Sequence, residues 1–199
     1  MTSARRQTKD ELYNPSRSQR RLGSFTGTGY TKGRNVVVQV AWLAISSTVF
    51  TQWWCPNRLR ILILRLFGAS IGTGVIIRHQ VIIHWPWKLS IGNNTWVGQQ
   101  AWLLNLEPIT IGHDVCISQG AFICTGSHDR RSRSFEFDNA PVVIGDGAWV
   151  AARAIVLRGV SVGNNATIGA GTVVHESIKD REIVFATRKD ARNTSSDSP

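Results

Sequence analysis

His128 is the residue in this sequence best placed to carry out acid–base chemistry. It closes the six-residue block ICTGSH, immediately before a stretch that interrupts an otherwise regular pattern. Asn105 holds a related place, because it lies fourteen residues after Ile91 while His128 lies seventeen after Ile111. A neutral imidazole beside a polar side chain can accept a proton near pH 7. A corner histidine that only hydrogen-bonds a neighbouring loop fits the same pattern, so the residues alone leave both interpretations open.

A six-residue repeat over residues 71–174 predicts the elements that position these side chains. Blocks such as IGTGVI from Ile71, IGNNTW from Ile91 and IGDGAW from Ile144 open with an aliphatic residue and carry Gly next. A period of six fits neither an α-helix nor an amphipathic strand. It predicts an all-β fold, a parallel β-helix with three flat faces per coil. The first and fifth residues of each block are expected to point inward, and the Gly to supply a positive φ at the corner.

The phase of the repeat locates an interruption. Ile71, Ile91 and Ile111 are twenty residues apart, which is one coil of eighteen plus a two-residue corner, but Ile144 follows only after thirty-three. We therefore expect residues 129–143 to leave the coil as a loop directly after His128. Long excursions from a regular scaffold often carry function.

The regions outside the repeat divide into three. Residues 1–34 carry eight Lys or Arg against two acidic residues, which predicts a basic flexible arm. Residues 35–70 begin with a stretch free of charge and predict one or two helices that cap the open end of the coil. Peripheral membrane contact, with the arm on anionic headgroups, and a membrane span are the alternatives for this apolar region. Residues 175–199 are expected to form a short tail, in which Ile183–Phe185 could add one more strand.

Composition narrows the partners and the compartment. The net charge of +10 favours an anionic partner, and the basic residues lack a nucleic-acid recognition pattern, so no nucleic acid is expected. The three cysteines are odd in number and lack metal-like spacing, which favours reduced thiols in the cytoplasm. Met1 leads into polar residues, so we expect no signal peptide.

Four segments together resemble a known family. They are PWKLSIG (86–92), LNLEPITIG (104–112), ISQGAFICTGSHD (117–129) and the block GAWVAARAIVLRGVSVGNNATIGAGTVV (147–174). They are similar to the hexapeptide-repeat acyltransferases with a left-handed β-helix, in the branch of the galactoside, maltose and colanic acid O-acetyltransferases. The resemblance implies a homotrimer, acetyl-CoA as co-substrate in a groove between neighbouring coils, and no metal.

The same resemblance assigns roles to individual residues. His128 would take the proton from a sugar hydroxyl that attacks the thioester directly, with no acyl-enzyme. Asn105 would lie near the acceptor, and Asp129 and Glu107 would orient His128 or bind the sugar. The cofactor-binding positions that match the family are Ala151, Ala152, Gly169 and Ala170 along the pantetheine. The phosphates of the cofactor need cations, which Arg188 and Lys189 are expected to supply, with Lys179 and Arg181 also available, although the segment FATRKDARN (185–193) departs from the family pattern.

The expected function is therefore acetyl-CoA-dependent O-acetylation of a sugar in exopolysaccharide biosynthesis. The acceptor is expected to be a sugar or a lipid-linked oligosaccharide, and the latter would be met at the inner face of the membrane. A non-catalytic β-helical scaffold or sugar-binding protein is the alternative. A zinc site like that of the carbonic-anhydrase branch of this fold is disfavoured, because His79, His84 and His113 fall on three different faces.

Overall fold

The computed structural model describes residues 20–186, and most of them wind into a left-handed parallel β-helix. Its strands, numbered β1–β16 in chain order, form three parallel sheets. The first face contains β1 (Ser70–Ile71), β4 (Leu89–Ile91), β7 (Ile109–Ile111), β10 (Val142–Ile144) and β13 (Ser161–Val162). The second contains β2 (Ile76–Ile77), β5 (Trp96–Val97), β8 (Cys116–Ile117), β11 (Trp149–Val150), β14 (Thr167–Ile168) and β16 (Ile183–Val184). The third contains β3 (Ile82–Ile83), β6 (Trp102–Leu104), β9 (Phe122–Cys124), β12 (Ile155–Val156) and β15 (Val173–Val174).

The predicted aliphatic ladder is the core of this coil. Ile71 pairs with Ile91, Ile91 with Ile111, Ile111 with Ile144 and Ile144 with Val162, and all five are buried. Each such side chain contributes roughly 1.5–3 kcal/mol when it leaves water. The repeat therefore fixes the register as well as the fold class, because each aliphatic residue packs on its equivalent one coil away.

Where glycine occupies the second position of a block, it is required for a different reason from the one predicted. Its φ is not in the left-handed region. A Cβ on Gly92 would instead lie 2.6 Å from the backbone C and O atoms of Gly112 in the next coil. The positive φ falls two residues later, at positions such as Gly74, Asn94 and Gly147. The second residue is thus limited by the close approach of successive coils, and the fourth by the turn itself.

Two helices, α1 (Val36–Ile45) and α2 (Asn57–Leu66), cap the first coil as predicted, with a π-helical segment (Ser46–Phe50) and a turn between them. Asn57 mimics a neighbouring strand, since its side chain donates to Val75 O and accepts from Ile77 N–H. The buried Arg60 guanidinium donates to Ile77 O at 3.3 Å, and Trp42 Nε1 donates to backbone carbonyls at the end of β3. The cap therefore satisfies backbone groups of the first coil that have no strand beside them.

No helix between residues 20 and 186 is both long and apolar enough to cross a membrane.

The coil continues past Val174, where the repeat was expected to stop. Ile178 bridges to Val162 on the first face, and β16 pairs with β14 on the second. The expected tail therefore begins as most of a further coil.

Two 3₁₀ turns lie outside the strands. One of them, Pro86–Lys88, lies at the corner before β4. A second 3₁₀ turn, Leu22–Ser24, lies in the predicted arm.

Candidate active site

His128 lies on an antiparallel ribbon that leaves the third face after β9. The ribbon starts at Thr125, four residues before the predicted start of the loop at Asp129, and returns to the coil at Val142. Three backbone hydrogen bonds join its two arms: Ala140 N–H to Thr125 O (3.0 Å), Asp138 N–H to Ser127 O (2.9 Å) and Asp129 N–H to Glu136 O (2.8 Å). The predicted loop is thus a paired structure with His128 in its first arm, opposite Phe137.

A backbone carbonyl sets the orientation and tautomer of the His128 ring. Nδ1 lies 2.7 Å from Phe135 O, and because a carbonyl only accepts, Nδ1 carries the proton. In the neutral ring Nε2 then holds the lone pair, which is the form required of a general base. Phe135 has a φ of 56°, unusual for a bulky residue, and its ring stacks on the imidazole at 4.4 Å with planes 5° apart. Phe137 stacks on the same imidazole at 5.2 Å.

Residues 20–34, here called the N-terminal strap, pack against this ribbon. The Glu136 carboxylate accepts hydrogen bonds from Thr26 N–H (2.9 Å), Gly27 N–H (2.9 Å) and the Thr26 hydroxyl. These bonds, led by that from the Thr26 N–H, hold the pKa of Glu136 below its ordinary value. The ring of Phe25 meets His128 edge-on at 5.9 Å and Phe137 at 5.2 Å. The predicted flexible arm is therefore attached to the rest of the chain over these residues, next to the candidate base.

The strap is also fixed to the corner that precedes β4. Tyr30 packs on Phe137 at 4.9 Å, and its hydroxyl accepts a 2.7 Å hydrogen bond from Trp85 Nε1. Burial raises the pKa of Tyr30. Lys88 donates to Thr31 O at 2.6 Å. One side of the strap thus faces the His128 ribbon and the other faces the coil.

Asn105 is placed beneath this corner and not in an open site. Its side chain is fully buried, at 0% exposure. Oδ1 accepts from His84 N–H (3.1 Å) and Trp85 N–H (2.9 Å), while Nδ2 donates to Trp85 O (2.5 Å). In the single chain Asn105 therefore positions the Trp85 corner on which the strap rests, and its predicted contact with an acceptor stays a prediction.

The two carboxylates predicted beside His128 have other partners. Asp129 Oδ1 accepts from Arg131 N–H at 2.8 Å within the ribbon tip. Glu107 lies close enough to Lys88 to oppose the lowering of the lysine pKa that burial causes. The group that orients His128 is the Phe135 carbonyl. Sequence reasoning missed it because a backbone acceptor leaves no mark in the residue types.

The four small residues predicted for the cofactor come together at one corner of the coil. Since Val150 pairs with Ile168, Ala151 and Ala152 stack directly beside Gly169 and Ala170 in the next coil. The ring of Phe185 lies against Gly169 and would collide with any Cβ there. Arg188 and Lys189, predicted for the phosphates, lie outside the described residues.

A cavity of about 260 Å³ opens beside the base of the ribbon. It is lined by Gly126, Ser127, Leu157, Arg158 and His175. His128 directly follows Ser127 in the chain, and the other three lining residues belong to the next two coils. Within residues 20–186 no cluster of three or more His, Cys, Asp or Glu could hold a metal ion.

Comparison with known proteins places this geometry among acetyltransferases. Residues 141–176 match the family described as bacterial transferase hexapeptide (six repeats). A putative colanic acid biosynthesis acetyltransferase of Escherichia coli K12 is 42% identical over 160 residues, covering 79% of this chain and 87% of the relative. A galactoside O-acetyltransferase of Lactococcus lactis is 28% identical over 137 residues, covering 66% of this chain and 65% of the relative.

Solved structures share the fold. A hexapeptide-repeat acetyltransferase of Vibrio cholerae complexed with acetyl coenzyme A superimposes with a TM-score of 0.72 at 20% identity, over 83% of this chain and 92% of the other. A galactoside acetyltransferase in complex with coenzyme A gives 0.70 at 18% identity, over 78% and 80% of the two chains.

Proposed function

The chain belongs to the hexapeptide-repeat acetyltransferases, and from this premise we propose that it transfers acetyl from acetyl-CoA to a sugar hydroxyl in exopolysaccharide biosynthesis. The acceptor class includes a lipid-linked oligosaccharide precursor, met at the cytoplasmic face of the membrane. The observation that carries the proposal is the fixed tautomer of His128. A base that deprotonates a hydroxyl needs a free lone pair, and the Phe135 carbonyl assigns that lone pair to Nε2.

The reaction follows as a direct transfer. Nε2 of His128 removes the proton from the acceptor hydroxyl as its oxygen bonds to the thioester carbonyl carbon. The carbon–sulfur bond then breaks, and the leaving thiolate recovers the proton from Nε2–H. The products are the O-acetyl sugar and CoA, and the thiols of Cys116 and Cys124 take no part. General-base catalysis of this kind contributes about 10²–10⁴-fold.

The corner of small residues supports a place for the pantetheine. Ala151, Ala152 and Ala170 present little side chain on two adjoining coils, so an extended chain could lie close to the backbone there, beside the Phe185 ring that covers Gly169. This stripe alone does not define a site. Its fit with the proposed donor comes from its position on the same coils that line the cavity beside the ribbon.

The outward residues of the coil support a homotrimer. The second face exposes Trp96 and Trp149, and the third exposes Trp102 and Val173. The first face instead turns mainly Ser and Thr outward, at positions 70, 90, 110 and 161. Two apolar faces beside one polar face suit packing of parallel coils about a threefold axis, with the donor groove between neighbours.

The experiment combines calorimetric titration of coenzyme A with acetyl transfer to sugar acceptors. We expect His128→Ala to lower kcat by about 10²–10⁴-fold, while the Kd for coenzyme A stays within about twofold because Nε2 is not in the pantetheine corner. His79→Ala is the matched control, since His79 lies on another part of the coil. If His128→Ala keeps kcat within about threefold, His128 is not the base. If the folded trimer binds no coenzyme A, a β-helical scaffold is the better account.

A further inference from the structure

Helix α1 has the reverse of the polarity expected for a surface helix. Its one polar residue, Gln39, faces inward with 8% exposure and donates to Arg34 O. Val37 is 77% exposed, and Val40 and Leu43 are also more than half exposed. A helix on the surface of a water-soluble protein turns its apolar stripe to the core and its polar residues to solvent. The outward stripe of α1 is therefore suited to an apolar environment.

Two more exposed apolar residues lie in the turn that follows the π-helical segment. Trp53 is 79% exposed and Trp54 52%. No charged residue occurs from Asn35 to Asn57. Tryptophan has an amphipathic ring that favours the boundary between headgroups and acyl chains. We call the exposed residues Val36, Val37, Val40, Leu43, Trp53 and Trp54 the cap patch.

The charge of the chain is divided along its length. Residues 12–106 contain ten Lys or Arg and no Asp or Glu, whereas residues 107–199 contain ten basic and eleven acidic residues. The cap patch lies within the first of these regions. Arg34 lies two residues before α1 and Arg58 is the second residue of α2, and both are exposed. An apolar patch within a purely basic region is complementary to a surface that is apolar inside and anionic outside.

We propose that the cap patch docks on an anionic lipid surface. The Val and Leu side chains of α1 enter the acyl boundary, Trp53 and Trp54 lie at headgroup level, and the flanking arginines meet lipid phosphates. A second copy of the chain is the poorer occupant, because cap-to-cap contact would bring two regions without acidic residues together. The inference does not depend on the chemistry at His128.

Binding to lipid vesicles tests the proposal with the full chain. Flotation is measured with vesicles of phosphatidylcholine containing about 30% phosphatidylglycerol, and with phosphatidylcholine alone. We expect binding to the anionic vesicles at low salt, at least about tenfold weaker binding to the neutral vesicles, and a marked loss at high salt, because much of the attraction is electrostatic. Absence of binding to the anionic vesicles overturns the proposal.

A pair of charge-matched variants locates the contact. The double variant Val40→Glu, Leu43→Glu should reduce anionic vesicle binding at least about tenfold, because carboxylates are excluded from the acyl boundary and repelled by the headgroups. Thr110→Glu, Ser161→Glu adds the same charge on the exposed first face of the coil and should bind as the wild type does. Equal binding by both variants, or an equal loss in both, rejects the cap patch as the contact.

Tryptophan fluorescence measures how deeply Trp53 and Trp54 enter the lipid, independently of charge. Brominated lipids should quench part of the tryptophan emission of the wild type, and Trp53→Phe, Trp54→Phe should bind but lose that quenching. Unchanged quenching in the variant rejects this orientation. Sedimentation of the lipid-free protein tests whether a second copy of the chain occupies the patch instead. An assembly that the double variant Val40→Glu, Leu43→Glu dissociates would assign the patch to a second copy and overturn the proposal. Acetyl transfer to a soluble sugar reports separately on the proposed function.

Discussion

Replacing Phe25 by Ala tests whether the N-terminal strap holds the candidate base in its working orientation. The Phe25 ring makes two edge contacts, with His128 at 5.9 Å and Phe137 at 5.2 Å. Aromatic pairs of this kind contribute about 0.5–1.5 kcal/mol each, or about 1–3 kcal/mol together. Phe25 is partly exposed, so we take the lower part of that range and expect kcat to fall about 5- to 30-fold.

The split between kinetic constants identifies the cause. The loss should fall on kcat, because the orientation of the imidazole matters to proton removal, while KM for the acceptor and the Kd for coenzyme A stay within about threefold. Limited trypsin cleavage at Arg130, Arg131 and Arg133 in the ribbon should become faster, since the strap also pairs with the ribbon through Arg21 N–H and Arg133 O. Leu22→Ala, in the same strap and more exposed, is the control.

If Phe25→Ala and Leu22→Ala have the same kcat and the same cleavage rate, the strap does not position His128. If kcat falls while cleavage of the ribbon is unchanged, the Phe25 ring acts on the acceptor and not through the ribbon.

Two other substitutions test structural assignments. Asn105→Ala should lower the free energy of unfolding by about 2–4 kcal/mol in urea denaturation, because it leaves buried backbone N–H groups at the Trp85 corner without an acceptor. A change in stability under about 0.5 kcal/mol together with a large loss of kcat would instead indicate that Asn105 acts directly in the chemistry. Gly92→Ala should lower the free energy of unfolding by about 3 kcal/mol or more through collision with Gly112 in the next coil. Gly171 has a φ of +68° and open space around it, so Gly171→Ala should lower it by only about 1–2 kcal/mol. Equal losses of stability in thermal or urea unfolding would contradict the two separate reasons for glycine.

The coil was predictable from sequence because its contacts are periodic. Each inward aliphatic residue packs on an equivalent residue one coil away, so the pattern Ile71, Ile91, Ile111 carries the register itself. The place of the interruption was predictable for the same reason. Its exit at Thr125 was not, because the hydrogen bonds that pair the ribbon are backbone bonds that any residue can make.

The surroundings of His128 were harder to predict because they depend on distant segments. The strap, the corner near Trp85 and the ribbon are each non-periodic, and they meet through individual side-chain contacts such as Tyr30 with Trp85 and Thr26 with Glu136. Phe25 and Tyr30 could be identified as aromatic residues in a basic arm, but the choice of docking partner depends on Phe137, more than a hundred residues away. The orientation of the imidazole rests on a carbonyl, which the sequence does not specify.

These contacts also connect helix α1, which carries part of the cap patch on its outer side, to the candidate base. Trp42 of α1 donates to the carbonyl of His84, and Trp85, the residue after His84, donates to the Tyr30 hydroxyl. Tyr30 in turn packs on Phe137 of the ribbon that carries His128. The strand β9, from which the ribbon leaves, lies two strand spacings, about 10 Å, from β3 at the capped end of the third face. A sugar joined through phosphate to a membrane lipid would need to reach only a short way beyond the headgroups to meet Nε2. The proposed docking of the cap on anionic lipid and the proposed acetylation of a lipid-linked acceptor are therefore compatible with one orientation of the coil, in which its first turn lies nearest the lipid.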